Sequence, residues 1–216
     1  IVLVMIGTSP SSTCFAREEG NDTKTTSSIS ALSHCEAMRI LICNYISSSQ
    51  ALVFFFYAIA LGFGMTIVEN LVFLLFVELK ADSFLCGISV VVTVIFEIPL
   101  FYKSKYFLEK FGVSTLLSIA GLCYSFRVVG YTLCPGGWFI LLFEPMHGVT
   151  IAAWNTASVE FVASITPPVY AATGQAILEL LRSAVGATAG NSIGGALIRN
   201  YSESACYRTS AVIVLI

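Results

Sequence analysis

From residue 51 onward the chain is a succession of apolar runs separated by short charged or turn-forming connectors. A spanning helix needs about 20 predominantly apolar residues. In hydrocarbon the backbone N–H and C=O groups must be satisfied inside the segment, so runs of this length are helical. They fall at about 51–77, 84–102, 113–131, 138–162 and 169–198, with a sixth beginning near 205 and incomplete at 216. ELKADS and YKSKYFLEKFG are charged connectors, and CPGG and TPP are turns. Thr166, ahead of Pro167 and Pro168, reads as an N-cap followed by first-turn prolines. The expected fold is all-α: a polytopic transmembrane helix bundle over 51–216.

Composition excludes the soluble alternatives. Charged residues make up 11% of the chain and hydrophobic ones 56%, where a soluble domain carries about 25% charged residues. The net charge is −2, and no basic cluster exists beyond Lys103, Lys105 and Lys110, so no nucleic-acid partner is expected. The seven cysteines are scattered with no CxxC pair, and HExxH does not occur. No enzyme, metal or cofactor is therefore expected. Cys134 and Cys206 both fall on the external side, where they are able to pair.

The opening IVLVMIG is too short to span and lacks the basic flank of a signal peptide. Residues 1–7 read as the tail of an upstream span. Residues 8–50 read as a Ser/Thr-rich loop unable to bury a core, with CEAMRILICNYI forming a short interfacial helix before the first span. Basic residues set the orientation. Arg17, Lys24, Arg39, Lys103, Lys105 and Lys110 share one side, against Lys80, Arg199 and Arg208 on the other. The loop over 8–50 is thus cytoplasmic, and Asn200-Tyr201-Ser202 is an external glycosylation sequon.

The spans carry Glu69, Glu97, Arg127, Glu144, Glu160, Glu179 and Arg182. At about 3 kcal/mol for each centred charge, their insertion requires pairing, protonation or water. Depth, counted at about 1.5 Å per residue, sorts them. Glu97 and Glu160 lie near the inner surface and read as acids reaching interfacial water. Glu69, Arg127 and Glu144 lie in the outer half. His147, Asn155, Glu179 and Arg182 lie nearer the middle.

Two groupings follow from spacing. Gln175, Glu179, Arg182, Gly186 and Gly190 follow one helical face, with Glu179 and Arg182 able to neutralise each other at i,i+3. Gly186, Gly190 and Gly194 form a GxxxGxxxG packing seam. The bland reading of this set is a polar staple with a seam. In LLFEPMHGVTIAAW, Glu144 and His147 are also i,i+3, and Pro145 is expected to bend the helix and free a carbonyl. A Glu and a His side by side suit a proton relay beside a wet cavity; the bland reading is a His bonded to a neighbouring helix. The E-x-x-H spacing occurs once, whereas a di-iron bundle needs two copies and further acids.

The run LLFEPMHGVTIAAW resembles the EP-hydrophobic-HG-[VI]-T signature of the group named major facilitator superfamily domain-containing protein 6. GFGMTIVENLVFLLFVELKA and FEIPLFYKSKYFLEKFG resemble the first two helices of the C-terminal half of a major facilitator superfamily transporter. The resemblance covers about 50–216. It implies one six-helix half of that fold with its last helix truncated, a central cytoplasmic loop over 8–50, and a missing N-terminal six-helix half as partner. The superfamily loop motif G-x-L-a-D-r-x-G is altered. Lys105 stands at its first Gly, while Glu109, Lys110 and Gly112 keep the acid, base and final Gly positions. Proton-coupled sugar symporters of the superfamily carry an Arg, a His with a Glu, and a base on successive helices. Arg127, Glu144 with His147, and Arg182 are similar, with the order of acid and His reversed.

The expected function is secondary active transport of an unidentified small solute by alternating access, possible as proton symport, in the plasma membrane or an organelle membrane. Proton-coupling candidates are Glu144, His147 and Arg127. Substrate-path candidates are Asn155, Gln175, Glu179 and Arg182. The lipid bilayer is the other partner. The competing expectation is a non-transporting multi-pass receptor or orphan scaffold, in which the buried charges only hold helices together. A channel is a third option.

Overall fold

The computed structural model describes residues 39, 42–43, 45–78, 82–200 and 203–215. The upstream-span tail expected at 1–7 and most of the loop expected over 8–50 lie outside the described residues. Positions 39, 42–43 and 45–47 are helical. Among the described residues there is no strand.

The main helices are α1 Ser49–Glu78, α2 Ser83–Tyr102, α3 Ser104–Tyr131, the single turn α4 Gly137–Ile140, and α5 Glu144–Ile165. A 3-10 turn, Pro168–Tyr170, leads into α6 Ala171–Glu179, a π-helical segment Leu180–Gly186, and α7 Ala187–Asn200; α8 is Glu203–Leu215. Three of these, α1, α2 and α3, are long and apolar enough to cross a membrane. The chain is an integral membrane, all-α bundle.

Packing divides the helices into two neighbourhoods. α5 lies against α2 and α3, while α1 lies against the π segment and α7. α8 touches both α1 and α3 and so ties the two together. Where α1 meets α5, Phe54 stacks on Trp154 at 5.8 Å and leans on Phe161 at 4.2 Å. Tyr57 donates to the Leu117 carbonyl of α3 at 2.8 Å, which satisfies a hydroxyl in a fully buried side chain. α2 leaves an apolar row open, with Val90, Val91, Ile95 and Ile98 more than half exposed, as suits a surface covered by lipid tails or another apolar helix.

The breaks in the helices differ from the sequence expectation in three places. The fourth span is not one helix. Leu141, Leu142 and Phe143 bond back three residues, to Trp138, Phe139 and Ile140, and a new helix starts at Glu144. Pro145 therefore stands in a first turn, where no intrahelical N–H is required, and does not kink a helix interior. Thr166 is not an N-cap. It ends α5 in an extended conformation, and its hydroxyl bonds Tyr45 Oη at 2.5 Å. The fifth span is not uniformly α-helical, because the π turn widens it at 180–186.

Gly112 interrupts α3 at φ 75° and ψ 167°. Only glycine adopts this region readily. It lets a short segment, 104–111, meet the spanning part of α3 at an angle, which accounts for the one glycine of the loop motif that the chain retains.

Candidate functional site

Arg127 lies one turn from the end of α3, and Tyr131 follows it at i,i+4, on the same helix face. Glu144 is the first residue of α5, where the helix dipole favours an acid. His147 follows at i,i+3. Thr93 comes from the middle of α2. These five side chains converge. Arg127 donates from Nε to Tyr131 Oη at 2.6 Å and from Nη1 to His147 Nδ1 at 2.7 Å. Its Nη2 lies 3.6 Å from Glu144 Oε2. Tyr131 donates to Glu144 Oε1 at 2.5 Å, and Thr93 donates to Glu144 Oε2 at 2.9 Å.

The geometry fixes several roles. A guanidinium only donates, so His147 Nδ1 accepts, and the imidazole carries its proton on Nε2. Tyr131 accepts from Arg127 and donates to Glu144, so it bridges the ion pair through one oxygen. Both carboxylate oxygens of Glu144 are occupied, one by a phenol and one by a hydroxyl and the guanidinium. Glu144 is 2% exposed and Arg127 5%. At such burial, paired charges survive only when their remaining hydrogen-bonding capacity is met.

Gly148 makes the meeting possible. A Cβ there would stand 2.6 Å from the Thr93 carbonyl and 3.0 Å from the Glu97 nitrogen. α5 thus approaches α2 backbone to backbone, one turn from Glu144, which brings Thr93 within reach of the carboxylate. Each polar or special residue of EPMHG has its use: Glu144 the charge, Pro145 the first turn, His147 the acceptor, Gly148 the close approach.

The second candidate set sits apart from this network. Glu179 and Arg182 form a bidentate pair, Nη2 to Oε1 at 2.6 Å and Nε to Oε2 at 3.0 Å. Their side chains are 58% and 27% exposed, so the pair lies on an open face and not within the buried network. Gln175 turns to α5 and donates to the Val159 carbonyl at 3.1 Å. Asn155, one turn before Val159, is exposed. Glu69 is exposed on α1, within electrostatic reach of both Arg127 and Arg182. Beside it, Asn70 Nδ2 donates to Asn191 Oδ1 at 2.5 Å across α1 and α7.

The glycine seam faces α1. A Cβ at Gly186 would meet the Ile59 carbonyl at 2.6 Å, one at Gly190 the Phe63 carbonyl at 2.6 Å, and one at Gly194 the Ile67 side chain at 3.1 Å. Gly62 answers from the other side, since a Cβ there would collide with the Arg182 carbonyl. That carbonyl belongs to the π segment, so the bare backbone at Gly62 accommodates the widened turn. Cys134 is a free thiol whose Sγ donates to the Gly130 carbonyl at 3.4 Å, and no disulfide joins it to Cys206.

Sequence reasoning missed Tyr131, Thr93, Gly62 and Asn70. The i,i+4 spacing from Arg127 marks Tyr131 as a neighbour. Nothing in the sequence separates Thr93 from the other hydroxyl residues of the spans.

Comparison with known proteins adds the following. The family model described as MFS_1 like family matches residues 1–209. The chain is 29% identical over 106 residues to the uncharacterized transporter YwbF of Bacillus subtilis (strain 168). That match takes in 49% of this chain and 27% of the relative, so the matched stretch spans about a quarter of that protein's length. No solved structure matches the chain.

Proposed function

Because this chain belongs to the MFS_1 like family, we propose that it forms one helical bundle of a secondary active transporter. The transporter moves a small solute by alternating access, with two bundles rocking about a site near the midplane. The printed name of the Bacillus relative, an uncharacterized transporter, supports this reading at the level of transport. The EPMHG run supports a narrower placement, beside the group named major facilitator superfamily domain-containing protein 6.

The observation that carries the proposal is the joint hold of Arg127 on Glu144 and His147. A proton on Glu144 removes the charge that compensates Arg127. A buried guanidinium without a counter-charge is costly, so the bundle would shift to a state in which Arg127 finds another acceptor. In this reading Glu144 carries the proton, Arg127 senses it, and His147 holds the guanidinium in the alternative state. Asn155, Gln175, Glu179 and Arg182 border the solute path.

Two measurements on the full-length protein in proteoliposomes test the reading. Asn155→Cys and Gln175→Cys, made in a background without other cysteines, are expected to react with a membrane-impermeant thiol reagent. A packed receptor bundle shields both positions, so absence of labelling at both rejects the transport path. Glu144→Gln is expected to leave solute exchange intact while abolishing accumulation driven by a pH gradient. Unchanged accumulation in that variant removes the coupling role.

A further inference from the structure

Lys103, Lys105 and Lys110 are not used by the transport reading. Lys103 joins α2 to α3, and the other two lie on the short segment before Gly112. All three side chains are exposed. On the same segment Ser104, Phe107 and Phe111 recur at i, i+3 and i+7, so one face is apolar but for Ser104, while Lys105, Glu109 and Lys110 lie off it. The apolar face lines a cavity of about 140 Å³, closed by Leu100 of α2, Leu116 of α3 and Val149 of α5. The lining is apolar except for Ser104 and Thr156.

Apart from these two hydroxyls the cavity gives a polar solute nothing to bond. It suits a hydrocarbon chain. Lys103 and Lys105 flank the lining residue Ser104 in the chain and Lys110 precedes Phe111, so three lysines against one acid, Glu109, adjoin the lining. Lys105 pairs only loosely with Glu109, at 3.9 Å with side chains 89% and 67% exposed. Lys110 Nζ rests 5.5 Å and 5.4 Å from the ring centroids of Tyr106 and Phe111. Its stem thus lies along the segment while its charge stays outside, as amphipathic side chains do at a membrane surface. Hydrocarbon below and positive charge above match one class of molecule.

We propose that this cavity and its three lysines form a binding site for an anionic phospholipid. One acyl chain enters between α2, α3 and α5, and the phosphate lies on Lys103 and Lys105. The site is distinct from the Arg127–Glu144 network and does not depend on the transport reading. Bound lipid would brace the short segment against α5 where Gly112 lets it turn.

The test is native mass spectrometry of the full-length protein titrated with phosphatidylglycerol or with phosphatidylcholine of the same chains. Phosphatidylglycerol is expected to be retained about tenfold better, on the scale of one or two lysines at an anionic surface. The triple variant Lys103→Gln, Lys105→Gln, Lys110→Gln changes only exposed side chains and is expected to lose that preference while still binding both lipids. Thr156→Trp, which fills the cavity from α5, is expected to lose both adducts. Soluble glycerol phosphate, which has no acyl chain, is expected not to displace the lipid. Equal retention of the two lipids by the wild type, an unchanged adduct in Thr156→Trp, or displacement by glycerol phosphate each overturns the proposal.

Discussion

Tyr131 gives its phenolic proton to Glu144 at 2.5 Å while accepting from Arg127 at 2.6 Å. One oxygen therefore bridges a buried acid and a buried base that otherwise approach no closer than 3.6 Å. Removing that oxygen is the mildest way to probe the network. Tyr131→Phe keeps the ring and its edge contact with Tyr207 at 6.2 Å. It deletes two hydrogen bonds to charged groups, each worth about 1.5–3 kcal/mol. Thermal unfolding in detergent is expected to show a lower Tm than wild type. If the phenol is a bridge, Tyr131→Phe combined with Glu144→Gln costs less than the sum of the single variants.

The ion pair itself predicts strong coupling. Arg127→Ala or Glu144→Ala alone leaves a buried charge without its partner, a loss of about 3–5 kcal/mol. The double variant removes both charges and is expected to be less destabilised than the two losses added together. Additive losses in a double-mutant cycle show that the two residues do not act as a pair. Arg127→Lys is expected to be nearly as harmful as Arg127→Ala, because a lysine ammonium cannot reproduce two hydrogen bonds and a carboxylate contact in the directions Arg127 now makes them.

These features also show what the chain discloses before folding. The spans are visible as long apolar runs, because a bilayer allows few other solutions. The i,i+3 spacing of Glu144 and His147 is local, so the sequence places them on one face. Their meeting with Arg127 is not local: it depends on α3 packing against α5, which spacing along the chain does not show. Thr93 stayed hidden because a hydroxyl in a span can satisfy itself on its own helix; the Ser89 carbonyl, 3.2 Å away, competes with Glu144 for the one Thr93 proton. The helix start at Glu144 was hidden too. The residues before it, WFILLF, are as apolar as a helix interior, and only the prolyl residue after Glu144 marks the boundary. The π segment leaves no periodic trace within seven residues, and the glycine that accommodates it, Gly62, lies on another helix.

The close approaches predict which glycines tolerate a methyl group. Gly62→Ala sets a Cβ against the Arg182 carbonyl, and Gly148→Ala sets one 2.6 Å from the Thr93 carbonyl. Both obstacles are backbone, which cannot rotate away. Each variant is expected to lower Tm, and Gly148→Ala is also expected to weaken the Thr93 contact to Glu144. Gly87 and Gly195 have open space where a Cβ would go, so Gly87→Ala and Gly195→Ala are expected to be neutral or stabilising by up to about 1 kcal/mol. A Tm ranking that puts all four together rejects the packing argument.

Gly112 separates conformational strain from crowding. Nothing lies within 4 Å of a Cβ at this position, yet its φ is +75°. Gly112→Ala therefore meets no neighbour and suffers only from its backbone, at a cost of about 1–3 kcal/mol. Gly136 is the control. It has the same open surroundings but an extended backbone, φ −172° and ψ 160°, which any residue adopts. Gly136→Ala is expected to leave Tm unchanged. The loss at Gly112 is expected to be the same for alanine as for serine, since neither side chain has anything to strike. Steeper losses with larger side chains at Gly112 would mean that the segment 104–111 packs more tightly there than its open surroundings allow. Equal Tm values for Gly112→Ala and Gly136→Ala would mean that the turn into α3 does not need a left-handed residue.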